Sequence, residues 1–244
     1  MKTRAVVLSL CLYFICSPLS FAAIKVGTLF FDPPFVLSVG QGFDNDFMRL
    51  LCKKMNEECI SIPMDYHRMY TALNSGQIDI AIGSIAISPA RQQNYIFSLP
   101  YMLSKVQFMT LKHGMINSID DLTGASVGVI KADNTGGVTY NFLMNHYEGK
   151  FEIKRYNDIE DLVTALSSNE VSAALLHRSS VVYWVENSGD QFKALGGITT
   201  VGDGIGIMAL PKNEALIQRI NKVMVGMETN NEYLSLYNTY FADE

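Results

Sequence analysis

Short β-like runs alternate with amphipathic helical runs from residue 24 onward, and the joints between them are brief. Residues 24–30 (IKVGTLF) are apolar and strand-like, and Asp32-Pro33-Pro34 ends the run, since two prolines cannot continue a ladder. Gly42 opens the next element. Phe43, Phe47, Leu50, Leu51 and Met55 then recur at helical spacing, so residues 44–55 are expected to form a helix. Residues 60–63 read as a short strand, 66–75 as a helix closed by Gly76, and 78–82 (IDIAI) as a strand. This order predicts a mostly parallel sheet covered by helices. Ligands of such sheets sit beyond the carboxyl ends of the strands. The segments to search for function are therefore 29–35, Tyr66 and 83–91.

A second unit of the same kind follows. Residues 119–122 read as a helical turn and 126–130 (SVGVI) as a strand. Helix is expected at 139–146, strand at 151–156, helix at 159–167, strand at 171–176 and helix at 179–186. A glycine-rich stretch, 196–206, then returns through 205–210. Two amphipathic helices close the chain, one carrying Leu216, Ile220, Val223, Met224 and Met227, the other Tyr233, Leu236, Tyr237 and Tyr240. The two units are joined near 108–112 and again near 198–205, and two crossings make a hinge rather than a single flexible linker.

The chain has 244 residues, of which 48% are hydrophobic and 18% charged, enough apolar surface for a sizeable core and too little charge for a disordered polyampholyte. Its net charge is −5, with no block of lysine and arginine. A nucleic-acid partner would require a basic surface, so that class is set aside.

The first residues read as an address. Lys2 and Arg4 precede an apolar stretch at 5–16, too short to span a bilayer comfortably, and Pro18 breaks it. Ser20 and Ala22 supply the small residues a signal peptidase needs. A signal peptide over 1–22 is expected, cut after Ala22 or alternatively Ala23. A retained anchor fits the proline less well, and a lipoprotein would want a small residue before Cys11 or Cys16. Cleavage leaves 17 basic against 24 acidic residues, a net charge of −7. It also leaves only Cys52 and Cys59 of the four cysteines, seven positions apart, which are expected to pair in an oxidising compartment.

Catalytic patterns are sparse. Gly124-Ala125-Ser126-Val127-Gly128 fits G-x-S-x-G, but a nucleophile elbow needs a strand before the serine and a helix after it, and here the order is reversed. Gly202-Asp203-Gly204-Ile205-Gly206 lacks the spacing of a dinucleotide loop and reads as a turn beside the hinge. His67, His113, His146 and His177 are scattered without metal spacing. No catalytic residue, metal or cofactor is expected.

The most informative stretch is Gly83-Ser84-Ile85-Ala86-Ile87-Ser88-Pro89-Ala90-Arg91. Ser88 is a good N-cap and Pro89 suits the first helical position. Arg91 then falls in the first turn, beside unpaired N–H groups and against the helix dipole. A guanidinium fork with free N–H donors suits a carboxylate. Otherwise Arg91 would simply pair with a surface acid.

These residues resemble those of the bacterial solute-binding proteins of the polar-amino-acid type, family 3, along essentially the whole mature chain. The matching stretches are GFDNDFMRLLCKKM, GQIDIAIGSIAISPARQQ, DLTGASVGV, GDGIGIMALPKNEAL and NEYLSLYNTYF. Cys52 and Cys59 match a short disulfide of some members. The resemblance implies an α/β fold of type II, with two lobes, each a mixed, mostly parallel sheet flanked by helices, and a two-segment hinge. Lobe 1 is expected over 23–109 and 201–244, and lobe 2 over 110–200. It also implies a periplasmic protein that closes over one small ligand and delivers it to an inner-membrane ABC permease.

By the same resemblance Arg91 clamps the ligand carboxylate, and Gly83, Ser84 and Ala86 supply backbone and hydroxyl contacts. Tyr66 stacks on the ligand, with Phe30 or Phe31 as further apolar walls. Ile130, Asp133, Asn134 and Thr135 approach from lobe 2. The family usually places an acid for the ligand ammonium where this chain has His177. His177 is then either a satisfied polar residue or a second anion or hydrogen-bond contact. A buried ammonium without a carboxylate is costly, and Asp32, Asp133 or Asp203 are the candidates to replace the missing one. Two rivals keep the fold: a binder of carboxylates lacking the α-amine or of an atypical amino acid, and an enzyme resembling periplasmic cyclohexadienyl dehydratase. A sensor module with a signalling partner is a third.

Overall fold

The structure is a computed structural model, and it describes residues 23–131 and 137–242. The first sheet contains β1 (Ile24–Leu29), β2 (Cys59–Met64), β3 (Ile80–Ala81), β4 (Ile96–Phe97) and, much later, β10 (Met208–Ala209), in the order β2-β1-β3-β10-β4. β1 runs parallel to β2 and β3, and β10 is antiparallel to both of its neighbours. The second sheet contains β5 (Lys105–Leu111), β6 (Ser126–Ile130), β7 (Glu152–Tyr156), β8 (Ala173–His177) and β9 (Phe192–Thr200), in the order β7-β6-β8-β5-β9. Here β6 is parallel to β7 and β8, while β5 is antiparallel to β8 and β9. The two sheets therefore share one plan, although no sequence repeat announces it.

Helices cover both sheets. α1 (Phe43–Met55), α2 (Tyr66–Ser75) and the short α3 (Pro89–Gln92) belong to the first stretch. α4 (Gly137–Tyr147), α5 (Ile159–Ser167) and α6 (Arg178–Asn187) surround the second sheet. α7 (Glu214–Thr229) and α8 (Glu232–Phe241) return to the first. The central strands are buried on both faces, and alternate residues of such a strand enter opposite cores. Ile80 and Ile82 pack with Phe43 and Phe47 on one side, while Ala81 packs with Met69 and Leu73 on the other. In β8, Leu175 and Leu176 divide in the same way.

The expected strand at 78–82 shortens to two residues, because Ile78 is still tied to the end of α2 through Ala72 O (3.3 Å). Three strands were not anticipated, the two-residue β4 among them. β5 occupies the stretch expected to be the first crossing, and β9 takes in the start of the glycine-rich return. The chain segments that cross between the sheets are instead paired with each other: Val201 N donates to Ser104 O (2.8 Å) and Ile205 N to Met102 O (2.8 Å). Gly202 (φ +66°) and Gly204 (φ +102°) shape this crossing. A Cβ on Gly202 would stand 2.5 Å from Ile87 O, and one on Gly204 2.9 Å from Met102 O. The GDGIG motif is thus a backbone approach in the hinge. Ser126 begins β6 and its hydroxyl meets only Glu170 O (3.5 Å), as expected of a strand residue rather than a nucleophile.

Cys52 and Cys59 form a disulfide that ties α1 to the start of β2. A loop this short stabilises by about 2.5 kcal/mol in the chain-entropy account. The Cys52→Ser/Cys59→Ser variant should lose roughly that amount in urea unfolding. A loss below about 0.5 kcal/mol would mean the unfolded chain is already constrained there. Among the described residues no helix is long and apolar enough to cross a membrane. The apolar stretch at 5–16 lies outside them.

Candidate functional site

All the parallel strands end at one cavity, which lies between the two sheets. β1 sends Phe30, Phe31 and Asp32 to it, β2 sends Asp65 and Tyr66, and the loop after β3 sends Ser84 and Ala86. From the second sheet come Ile130 after β6, Asn157 and Asp158 after β7, and His177 at the end of β8. The position follows from topology: strand ends expose backbone and loop side chains that no neighbouring strand covers.

Arg91 is the cavity's buried cation, 3% exposed. Its Nη1 donates to Ala86 O at 2.6 Å, and its guanidinium carbon lies 5.9 Å from the ring centres of both Tyr66 and Tyr70. Ser88 caps α3 as expected, accepting from Arg91 N at 3.4 Å. α3 is only four residues long, however, so Arg91 lies in its last turn as well as its first and the helix dipole adds little. What the site offers an anion is the guanidinium, held by a carbonyl and flanked by two aromatic faces.

Beside it sits a carboxyl network. Ser84 adopts a left-handed conformation (φ +49°), which costs a non-glycine residue about 1–3 kcal/mol and is kept where the surroundings demand it. In that conformation the Ser84 hydroxyl donates to Asp32 Oδ2 at 2.6 Å, and Ser84 N donates to Asp44 Oδ2 at 3.3 Å. Tyr101 donates its hydroxyl to Asp44 Oδ1 at 3.0 Å. Asp44, on α1, is fully buried, and burial pushes its carboxyl up to about 8, the nearby Asp32 charge adding to the effect. Asp32 is pushed up to about 6, again by burial, with the Ser84 hydrogen bond opposing. At neutral pH the proton therefore resides on Asp44 and the negative charge on Asp32.

A family model described as bacterial extracellular solute-binding proteins, family 3, matches residues 24–243. The chain belongs to this family. It is similar to the crystal structure of an arginine 3rd transport system periplasmic binding protein from Legionella pneumophila, at 31% identity and a TM-score of 0.83. That likeness covers 91% of this chain and all of the other. It is 24% identical to an arginine-binding periplasmic protein of Mannheimia haemolytica, over 86% of this chain and 87% of the relative. It is 26% identical to the L-cystine-binding protein TcyJ of Escherichia coli (strain K12), over 82% and 74% respectively. The two-lobed α/β architecture of the family is the architecture found.

In this solute-binding protein the cavity brings together Arg91, Ser84, Ala86, Tyr66, Phe30, Phe31, Asp32, Ile130 and His177 from among the residues anticipated. Gly83 is not part of the wall. It lies behind, where a Cβ would meet Leu29 Cγ at 2.9 Å, and it sets the turn that presents Ser84. Asp133, Asn134 and Thr135 lie outside the described residues. Asp203 is exposed in the hinge, its N–H bound to Ile87 O (3.0 Å), and does not line the cavity.

His177 is half-buried, with its Nδ1 shielded from solvent and without a hydrogen-bond partner in the structure. Burial, with the positive charge of Arg91, pulls the imidazole down to about 4. It is neutral at pH 7, so any contact it makes to an anion is a hydrogen bond from its N–H rather than a charge pair. Its ring packs edge-on against Phe35, centroids 6.2 Å apart. Phe30 is 55% exposed at the cavity mouth, whereas Phe31 reaches the second sheet's core and packs edge-on against Trp184 at 6.3 Å. One side chain after β1 thus spans the cleft.

The strand-end rule, applied only to the first unit, missed Asp158, Glu160, Thr139 and Ser180 on the second. Asp158 caps α5 through Asp161 N (2.8 Å), as Asp65 caps α2 through Arg68 N (2.7 Å). An N-cap immediately after a strand is a signal visible in the sequence.

The buried Asp44 proton has a consequence for stability. The folded carboxyl keeps its proton to about pH 8 while the unfolded one loses it near 3.8. The folded state thus binds the extra proton between these values, and the associated stability is lost as pH rises toward 8. Asp32 contributes with the same sign only up to about pH 6, and His177 with the opposite sign only below its unfolded value. Between pH 6.5 and 8, wild-type unfolding free energy should therefore fall by up to ~1.4 kcal/mol per pH unit more than that of Asp44→Asn. Equal slopes in urea titrations of the two proteins would show that Asp44 is ionised when folded.

Proposed function

We propose that the protein is the periplasmic substrate-binding component of an amino-acid ABC importer, and that its two lobes close over a small ligand bearing a carboxylate. The observation that carries this is Arg91, a buried guanidinium at the meeting point of the parallel strand ends of both sheets. A buried guanidinium at such a place suits a planar anion better than it suits a surface role. Membership of family 3 supports the same conclusion, as do relatives that bind arginine and L-cystine.

In this reading residues 1–22 are a signal peptide, cut near Ala22 or Ala23, and the mature protein works in the periplasm. Its macromolecular partner is an inner-membrane ABC permease, and it performs no chemistry on the ligand. Lobe 1 is built from the residues before and after the two crossings, close to 23–109 and 201–244, and lobe 2 from those near 110–200. The boundaries are best moved to the paired crossings beside Ser104 and Val201, since β5 and β9 belong to the second sheet.

Tyr66 supplies an apolar wall beside the clamp, and Ser84 and Ala86 supply a hydroxyl and backbone groups. The ligand touches both sheets, so binding favours the closed arrangement over the open one. The test is a thermal-shift screen of mature protein, refolded to remove carried-over ligand. The panel is the twenty L-amino acids, L-cystine, ornithine, citrulline and their deaminated analogues. A ligand at 100 times its dissociation constant adds roughly 2.7 kcal/mol. A shift with one or a few α-amino acids is expected. Response to none of them would overturn the importer reading, and turnover of prephenate or arogenate would replace it with an enzyme.

A further inference from the structure

Resting on that reading, we infer that Asp32, oriented by the Ser84 hydroxyl, receives the ammonium group of the ligand. A zwitterionic α-amino acid presents a carboxylate and an ammonium on one carbon. The cavity holds a matching pair on one short segment. Ser84 Oγ fixes Asp32 at 2.6 Å, and two residues later Ala86 O fixes the Arg91 guanidinium at 2.6 Å. Both anchoring groups lie within residues 84–86, and Asp32 and Arg91 both line the cavity.

Among the described residues the other acids at the cavity are less suited. Asp65 and Asp158 are exposed and each accepts from a helix-start N–H, and Glu160 is exposed. Asp32 is shielded, where charge pairing is less weakened by water. Asp44 stands behind Ser84, not on the cavity wall, and carries the proton that lets Asp32 stay ionised at pH 7. His177 ends β8, and an imidazole carries no negative charge in either of its protonation states.

The test measures calorimetric affinity for L-arginine, L-histidine and L-cystine, and for the des-amino analogue of whichever binds tightest, with wild type and Asp32→Asn. Asparagine retains the size of the side chain and an acceptor for Ser84. The α-amino acid should bind Asp32→Asn at least 30-fold more weakly, and the des-amino analogue within about 3-fold of wild type. Equal losses for both ligands, or no loss for either, would overturn the inference. In the second variant, Asp32→Asn/His177→Asp, discrimination in favour of the α-amino acid should return. Its failure to return, with the fold intact by circular dichroism, would place the ammonium away from both positions and also overturn it. If wild type binds none of the three ligands, the importer reading itself fails, and that result is distinct from any effect of Asp32→Asn.

Discussion

Arg91→Ala should abolish measurable ligand binding while leaving a folded protein. The guanidinium is buried, anchored on Ala86 O and bracketed by Tyr66 and Tyr70. A carboxylate brought into that cavity gives up its water, and without Arg91 it is left desolvated and unpaired. Truncating one partner of such a pair costs about 2–5 kcal/mol, or ~30- to 4,000-fold in affinity. Arg91→Lys keeps the charge and loses the fork, so it should fall between the two. Calorimetric titration gives the affinity, and thermal unfolding without ligand separates a lost clamp from a lost fold. Unchanged affinity in Arg91→Ala would remove the clamp.

Phe43→Ala should have the largest effect on stability, about 3–5 kcal/mol. Phe43 begins α1 and is fully buried. It stacks on Phe47 at 5.6 Å and meets Phe241 at 4.9 Å, Tyr101 at 5.9 Å and Tyr240 at 6.0 Å. Two of those partners lie on α8, so Phe43 is a contact through which the C-terminal helix docks on the first sheet's helical layer. Tyr240 adds a hydrogen bond to Asp46 Oδ2 at 2.6 Å, which cannot compensate for a cavity of phenyl size. Against a total stability of roughly 5–15 kcal/mol the loss is a large share. Urea unfolding gives the magnitude, and hydrogen exchange across 232–241 should show α8 losing protection first. A loss below about 1 kcal/mol would mean that the neighbouring rings collapse into the space.

Much of this was readable in the residues, because local chemistry and global fold agree there. Asp32-Pro33-Pro34 ends β1, Gly76 closes α2 in a left-handed conformation, and Ser88-Pro89 starts α3. The failures have physical causes. β5 reads KVQFMTL, with Val106, Gln107, Phe108, Met109 and Thr110 all buried, so it carries no polar–apolar alternation to mark a strand. β9 contains Gly196-Gly197, and its pairing with β5 shifts register between Val106 and Phe108, so a bulge hid it as a hinge. Arg91 was legible because a cap, a proline and a strand end agree on it. Asp32 stood in the sequence as one of three candidate acids, and the bond that joins it to Ser84 spans 52 positions, out of reach of a local reading.

The placement of β10 bears on how the chain acquires its structure. β10 lies between β3 and β4, and it comes from residues 208–209, more than a hundred positions after either. The first sheet therefore stays in two pieces, with β4 unattached, until most of the chain has emerged. The second sheet draws its strands from one continuous stretch, 105–200, and closes its loops locally. Loop-closure entropy and topology favour early contacts there. In a chain that emerges amino end first, residues 105–200 should nucleate structure before the first sheet is complete. The open edge of β3 is then the surface that most needs protection from wrong pairing during that interval.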